Sequence, residues 1–194
     1  SNAAVAAARQ GARVAVLARI GTDDFGRMAL ALWTAEGINT QAVEQALNEP
    51  SGVAQILTYP DGDNSIVVSP GANAGLGPVQ VDAAAPLIAA CRVVVASFEV
   101  PRSATLAAFR LARASGALTL LNPAPAQPLP AELATLVDVL TPNQTEVCVL
   151  AGLPMEADPA DAARVLLAMG VGAVVVTLGK EGVALVRSGH APNA

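Results

Sequence analysis

Hydrophobic and polar positions along the chain follow two patterns, one that predicts short strands and one that predicts helices. From about residue 78 onward, apolar runs of roughly five residues alternate with stretches whose apolar residues recur every three or four positions. The first pattern is typical of strands buried on both faces, and the second of helices that cover them. The predicted strands are 92–96, 117–121, 137–140, 173–177 and 183–186, and the main predicted helices are 78–90, 103–114, 143–151 and 159–169.

This alternation predicts an α/β fold with a mostly parallel, doubly wound sheet and helices on both faces. In such sheets, ligands bind beyond the carboxyl ends of the strands. The residues that directly follow the predicted strands are therefore the candidates for chemistry: Glu99, Asn122, Asn143, Glu146 and the segment 179–182.

The first third of the chain has a different pattern. Segments 3–9 and 14–18 predict a helix and a strand, and Thr22 or Asp23 caps a second helix that ends at Gly37. The apolar residues of this second helix are spaced as a stripe that we expect to be buried: Phe25, Met28, Ala29, Leu32 and Trp33.

Two further runs, 53–59 and 65–69, predict a β-hairpin, because the residues between them have turn chemistry. Asp61 and Asp63 resemble the start of a calcium loop, but the later ligands and the closing glutamate are missing. We therefore interpret this segment as a turn.

Composition excludes several classes of protein. Of the 194 residues, 53% are hydrophobic and 14% are charged, which excludes disorder as the main state. The net charge of −5 disfavours nucleic-acid and anionic-membrane partners, and the longest apolar window, 166–179, is too short to span a membrane. Without a secretory signal we expect a cytoplasmic protein.

Several catalytic motifs are also missing. Cys91 and Cys148 support neither a disulfide framework nor a zinc site, and His190, the only histidine, makes a Ser-His-Asp hydrolase improbable. The sequence contains no P-loop and no Gly-x-Gly-x-x-Gly.

Each candidate at a strand end has a functional and a purely structural interpretation. Glu99 can accept hydrogen bonds from polyol hydroxyls, or it can favour a helix N-terminus electrostatically. Asn143 and Glu146 can form a capping box, or face phosphates and hold a water of hydrated Mg²⁺, and the two interpretations are compatible. The glycines of segment 177–182 can let backbone amides approach a nucleotide, or simply make a tight turn.

Seven segments in order resemble the ribokinase-like (PfkB) family of carbohydrate kinases. The block from Asn122 to Ala126, with Leu129 and Pro130, is the most discriminating, since fructokinase-like relatives usually carry an Asp-x-Asn-x-Arg type sequence there. The resemblance covers nearly the whole chain, through segments 1–12, 20–26, 51–54, 70–74, 122–126, 141–146 and 177–182.

The resemblance implies a role for each matching position. Glu99 and Asn2 would contact the sugar, although Ser-Asn-Ala at a chain start is also a common cleavage scar. Asn143 would lie beside the ATP phosphates and Glu146 would organise Mg²⁺ through water. The nucleotide pocket would be lined by Thr177, Leu178, Gly179, Lys180, Glu181 and Gly182.

The implied activity is transfer of the γ-phosphoryl group of ATP to a hydroxymethyl group of a pentose, with D-ribose favoured and a monovalent cation such as K⁺ left open as an activator. The hairpin would belong to a small β lid at about residues 41–70, which often forms a dimer interface in relatives. Sugar and ATP are the implied partners.

The chain also departs from the family pattern. The resemblance implies a sugar-binding signature before residue 1 and a Gly-Ala-Gly-Asp signature, with the catalytic Asp base, beyond Ala194. We therefore expect residues 1–194 to be an incomplete domain that is inactive by itself and exposes apolar surface. The alternatives are a truncated, non-catalytic module that binds nucleotide or sugar, and a kinase for another sugar or a nucleoside.

Overall fold

A computed structural model describes residues 1–62 and 64–187, and the chain forms two compact units, Ser1–Ala84 and Ala85–Ala194. Asp63 and His190 lie outside the described residues. Within the described ranges, every helix is too short or too polar to cross a lipid bilayer.

The first unit combines two parallel strands, a hairpin and three helices. Strands β1 and β2 are parallel, and β3 and β4 form an antiparallel hairpin that is followed by a 3₁₀ turn, Gly71–Gly75. The elements are α1 (Asn2–Arg9), β1 (Ala15–Gly21), α2 (Asp24–Ala35), β2 (Asn39–Ala46), β3 (Val53–Thr58), β4 (Asn64–Ser69) and α3 (Pro78–Ala83).

Helix α2 begins and ends where the sequence predicts, but its apolar stripe is not a core face. Asp23 is the N-cap, and Gly37 has a left-handed φ of 68° directly after the C-cap. Trp33 is buried with Ile20 and Ile38. The predicted burial is wrong for three residues that lie on the solvent side of the helix: Phe25, Met28 and Leu32, which are 54%, 65% and 42% exposed.

The second unit is a five-stranded sheet with helices. Its order is β5-β6-β7-β8-β9, the first four strands are parallel, and β9 is antiparallel to β8. The elements are α4 (Ala85–Ala89), β5 (Val93–Ser97), α5 (Arg102–Ala114), β6 (Leu118–Asn122), α6 (Ala131–Ala134), β7 (Val139–Leu140), α7 (Gln144–Ala151), α8 (Pro159–Ala168), β8 (Ala173–Thr177) and β9 (Val183–Arg187). The predicted α/β fold with a mostly parallel sheet is confirmed.

The predicted helix 78–90 is wrong as a single helix. Helix α3 ends at Ala83, and α4 begins at Ala85. Pro86 accounts for the break, because it has no N–H to donate to the carbonyl of the preceding turn.

The core of the second unit lies between the helices and one part of the sheet. Its largest fully buried side chains include Phe109, Leu121, Leu140 and Leu166. The thiol of Cys148 is also buried there, and burial raises its pKa, with a further contribution from Glu156 and Asp158. Other apolar side chains of the sheet are about half exposed: Val93, Val95, Leu118 and Val183.

Two buried threonines of this unit differ in how their hydroxyls are satisfied. Thr119 on β6 contacts the Leu136 carbonyl and accepts the N–H of Asp138 at 3.0 Å. Thr105 on α5 is 2% exposed, and its Oγ1 has no hydrogen-bond partner among the described residues. The first hydroxyl links β6 to the segment before β7, whereas the second is buried without compensation.

Candidate functional site

The candidate residues of the second unit lie at one edge of its sheet. Strands β5, β6, β7 and β8 are parallel neighbours, so their carboxyl ends share that edge. The strand ends are also in register, since Ser97 pairs with Asn122 and Asn143 bridges to Thr177. Three strand spacings separate β5 from β8, which is about 14 Å. That span accommodates a small sugar and the phosphates of a nucleotide side by side.

At the first of these ends, Glu99 follows β5, and Asn122 is the last residue of the neighbouring strand β6. Both are exposed, and neither side chain has a hydrogen-bond partner in the described part of the chain. The Glu99 backbone N–H donates to Ser97 Oγ at 3.4 Å, and the Phe98 N–H donates to the Ala124 carbonyl at 3.1 Å. These contacts tie the segment after β5 to the loop after β6. A free carboxylate and a free amide thus lie at the ends of neighbouring strands, where both can bind hydroxyl groups.

At the middle of the edge, Asn143 and Glu146 form the capping box that the sequence predicts. Asn143 Oδ1 accepts the N–H of Glu146, and Glu146 Oε2 accepts the N–H of Asn143, both at 2.8 Å. Asn143 is exposed and Glu146 is half-buried. The other oxygen of Glu146, Oε1, has no partner among residues 1–62 and 64–187, so the structural role leaves it free to accept another hydrogen bond.

Segment 177–182 is a tight turn that connects β8 to β9. The Thr177 N–H donates to the Pro142 carbonyl at 2.9 Å, and the Leu178 N–H donates to the Gly182 carbonyl at 2.8 Å. Gly179 and Gly182 have φ of +59° and +93°, and a Cβ on either would meet no atom within 4 Å. Both positions therefore have a backbone conformation that favours glycine, and the outer surface of the turn is open.

Charge in this turn comes from adjacent exposed side chains of opposite sign, Lys180 and Glu181. Lys180 is the only lysine among the 194 residues. An ammonium at this position can attract phosphate oxygens electrostatically.

Asn2 belongs to the first unit, where it lies in the first turn of α1. Its side chain is exposed, and it borders a shallow groove between α1 and α2 together with Val5, Arg9 and Leu32. It is the one candidate that is not part of the sheet edge in the second unit.

The sequence pattern predicts no specific role for Asn122, although this residue is among those that follow predicted strands. The available signal was its place directly after a predicted strand. That Asn122 and Glu99 lie at the ends of neighbouring strands could not be recognised without the strand register.

Comparison with known proteins gives the family. A family model described as pfkB family carbohydrate kinase matches residues 1–193. The chain belongs to the pfkB family. A ribokinase of Haemophilus influenzae is 38% identical to this pfkB chain over 191 residues, which are 97% of the chain and 62% of the relative. A deoxyribokinase of Salmonella typhi is 36% identical over 187 residues, which are 94% of the chain and 60% of the relative.

A solved structure confirms the ribokinase-like fold of the pfkB chain. The Arabidopsis thaliana ribokinase in complex with ribose and ATP is 29% identical, with a TM-score of 0.89, and the match covers 99% of this chain and 64% of that one. The chain thus spans about three fifths of the length of these relatives.

Proposed function

We propose that the protein is an ATP-dependent sugar kinase that phosphorylates a hydroxymethyl group of a pentose, with D-ribose as the preferred substrate. The observation that carries the proposal is the shared sheet edge of a pfkB-family chain, where Glu99, Asn143 and the 177–182 turn lie at the carboxyl ends of β5, β7 and β8. Ribokinases of about 38% identity support a pentose as the acceptor. The proposal concerns the whole protein, in which residues 1–194 form part of one ribokinase-like domain.

In this proposal the acceptor and donor ends of the site are separate. Glu99 accepts hydrogen bonds from the sugar hydroxyls and so orients the sugar, with Asn2 as a second sugar contact. The nucleotide is held at the other end by the turn that comprises Thr177, Leu178, Gly179, Lys180, Glu181 and Gly182. Asn143 lies beside the phosphates. Positioning of this kind is the main contribution that a protein makes to phosphoryl transfer.

The residues present fit a magnesium ion that is held through water. Mg²⁺ keeps most of its water ligands and needs few ligands from the protein. Glu146 offers one such contact, since Oε1 is free while Oε2 serves the capping box. When bound, Mg²⁺ neutralises charge on the phosphates of ATP. The catalytic base has no matching position in residues 1–194, so we assign no catalytic residue in this chain.

The hairpin β3–β4 supports a second part of the proposal, a homodimer formed through the lid. Its strands carry exposed large apolar side chains on both faces, and three of them, Ile56, Ile66 and Val68, share one face. Monomeric proteins rarely leave such side chains exposed together. These residues are Ile56, Leu57, Ile66, Val67 and Val68. Sedimentation of the full-length protein tests this, because Ile66→Asp should convert a dimer into a monomer.

The function is tested by sugar-dependent release of ADP by the full-length protein. We expect turnover with D-ribose and Mg²⁺, and a product phosphorylated on the hydroxymethyl oxygen as determined by mass spectrometry and ³¹P NMR. Parallel assays with 2-deoxyribose, fructose and adenosine determine which acceptor is preferred. A comparison of the turnover rate in K⁺ with that in tetramethylammonium tests activation by a monovalent cation. Absence of turnover with every acceptor would overturn the proposal.

The deoxyribokinase relative supports a second candidate, a kinase whose preferred acceptor is 2-deoxyribose. A truncated, non-catalytic module is the remaining alternative. The intact mass of the natural protein separates it from an enzyme, because a mass near 19.4 kDa would favour the module.

A further inference from the structure

The β3–β4 hairpin is attached to the first unit almost entirely through its base. Nearly all of its residues are exposed, and its two strands pack mainly on each other. Strand β3 has six residues, so the hairpin extends about 20 Å from its base. A tilt of about 10° at the base would therefore move the tip by roughly 3.5 Å. The direction of the hairpin is decided by the few residues at its base.

The two ends of the hairpin meet at this base through backbone contacts. The Ala72 N–H donates to the Pro50 carbonyl at 2.8 Å. Gly71 has a φ of +49°, and a Cβ on it would lie 2.4 Å from Pro50 O. A Cβ on Gly52 would lie 2.7 Å from Pro70 O. These distances leave no space for side chains, so the entering and leaving segments are held directly against each other.

The Asp23 carboxylate connects this base to the start of helix α2, and Arg19 on β1 makes a second connection through Nη1, which donates to the Ala72 carbonyl at 3.4 Å. Asp23 Oδ1 accepts the Ser51 hydroxyl at 2.6 Å, and Oδ2 accepts the Ser51 N–H at 2.9 Å. The Ser51 hydroxyl in turn accepts the Gly21 N–H at 3.0 Å. Ser51 is 5% exposed and lies two residues before the first strand of the hairpin. These hydrogen bonds, first of all the one from the Ser51 hydroxyl, lower the pKa of Asp23, so it is charged at neutral pH.

Capping of α2 explains only part of this arrangement. The cap is the bond from the Gly26 N–H to Asp23 Oδ1, at 2.9 Å. A serine or threonine could supply that bond equally well. The two bonds from Ser51 contribute nothing to the helix, and they need a carboxylate that presents both oxygens at once.

We propose that Asp23 is a positioning residue that fixes the orientation of the β3–β4 hairpin, the lid element on which sugar binding depends. The inference rests on the proposed function only in the last step, since the link between Asp23 and the hairpin base is independent of any substrate. Sub-ångström placement of the reacting groups matters for phosphoryl transfer, so a lid with a loosened base should bind the sugar less well.

The test compares Asp23→Ser with Asp24→Ser in the full-length protein. Asp23→Ser keeps a side chain that caps α2 but is too short to hold Ser51. Asp24 is a matched control, because its carboxylate is exposed and, among the residues that the structure describes, pairs only with Arg27 on the same helix. We expect Asp23→Ser to raise the KM for the sugar about tenfold and to leave the KM for ATP within about twofold. Amide exchange at Ser51 and Ala72 should quicken by a similar factor, while Asp24→Ser should change neither.

The possible outcomes separate the two proposals. A wild-type protein that turns over no sugar overturns the proposed function, and amide exchange at the hairpin base then still decides the role of Asp23. A wild-type KM for the sugar and unchanged exchange in Asp23→Ser overturn the positioning role, as does an equal rise of both KM values. If Asp23→Ser does not fold, Ser51→Ala carries the same test, because it preserves the cap and removes the hydroxyl link.

Discussion

Asn143 and Glu146 exchange hydrogen bonds of equal length, each side chain accepting the backbone N–H of the other residue at 2.8 Å. These two hydrogen bonds therefore cap the N-terminus of helix α7 without any ligand. It also leaves Glu146 Oε1 available at the sheet edge. The structural and functional interpretations of this motif are both compatible with the geometry, and suitable substitutions separate them.

Glu146→Gln should separate the charge of this residue from its capping role. Glutamine also completes a capping box, so we expect the melting temperature to stay close to the wild-type value. The neutral amide is a weaker acceptor for Mg²⁺-bound water, so the Mg²⁺ concentration for half-maximal activity should rise. Glu146→Ala should in addition lose about 1 kcal/mol of stability. Normal turnover of the glutamine variant at low Mg²⁺ would show that Glu146 only caps the helix and has no role in holding Mg²⁺.

Glu99→Ala should weaken binding of the sugar and not of the nucleotide. Loss of charge-assisted hydrogen bonds to hydroxyls costs roughly one to two orders of magnitude in affinity, so the Kd for ribose should rise accordingly. The Kd for ATP should stay within about twofold, since Glu99 lies at the far end of the edge from the 177–182 turn. Calorimetry of the full-length protein measures both. Glu156→Ala, at an exposed glutamate away from this edge, is the control, and equal weakening of both ligands by Glu99→Ala would refute its role.

Thr105→Val and Thr119→Val should have opposite consequences for stability. Valine has the shape of threonine, and at position 105 it replaces a buried hydroxyl that has no partner, so we expect equal or higher stability. At position 119 the same change removes the hydroxyl that contacts the Leu136 carbonyl and one of the two acceptors of the Asp138 N–H, which keeps its bond to the Thr119 carbonyl at 3.1 Å. The variant should therefore lose about 1–3 kcal/mol. Urea denaturation gives both values. Similar losses at the two sites would mean that Thr105 has a partner in solution.

Asparagine should be tolerated at position 179 and not at position 182. The φ of +59° at Gly179 lies in the left-handed region that asparagine adopts, whereas φ +93° with ψ −133° at Gly182 is accessible essentially to glycine alone. No atom lies near either Cβ, so backbone strain alone decides the difference. We expect Gly182→Asn to lose about 1–3 kcal/mol and Gly179→Asn clearly less. Equal melting temperatures for the two variants would contradict this.

The first unit should lose stability in acid. Hydrogen bonds and ion pairs in the folded state lower the pKa values of Asp23, Glu36, Glu44 and Glu49. A lowered folded pKa contributes stability above the ordinary carboxyl pKa of about 4, and this contribution is lost as the pH falls through the folded value. The fluorescence of Trp33, the single tryptophan and a buried one, reports unfolding of this unit. The urea concentration at the unfolding midpoint should decrease when the pH is lowered from about 5 to about 3, and an unchanged midpoint would be inconsistent with these pKa shifts.

Much of the second unit could be predicted from sequence, because its strands are short apolar runs between periodic helices. Strand β8 begins and ends at the predicted residues, and most other elements agree within about two residues. The capping box was also readable, since Asn143 and Glu146 have the required spacing. Local chemistry decides these features, and local chemistry is visible in the sequence.

The first unit was harder to predict because tertiary packing decides its pattern. Strand β2 is a polar segment that pairs with β1, and no hydrophobic alternation marks it. Phe25 and Met28 have the spacing of a core stripe and are nevertheless exposed. The link between Asp23 and Ser51 joins residues 28 positions apart, so the sequence revealed only the capping part of it.

The β3–β4 hairpin makes few contacts with the rest of the first unit, so it can be exchanged for another hairpin. Since the described residues of β3 and β4 touch little besides each other, a hairpin from a relative could replace them between Gly52 and Pro70 without disturbing the core of the first unit. Substitutions along these strands should accordingly be tolerated by folding and felt mainly by whatever molecule the hairpin meets. Natural substitutions in the hairpin can therefore change what it binds while the fold of the first unit stays the same.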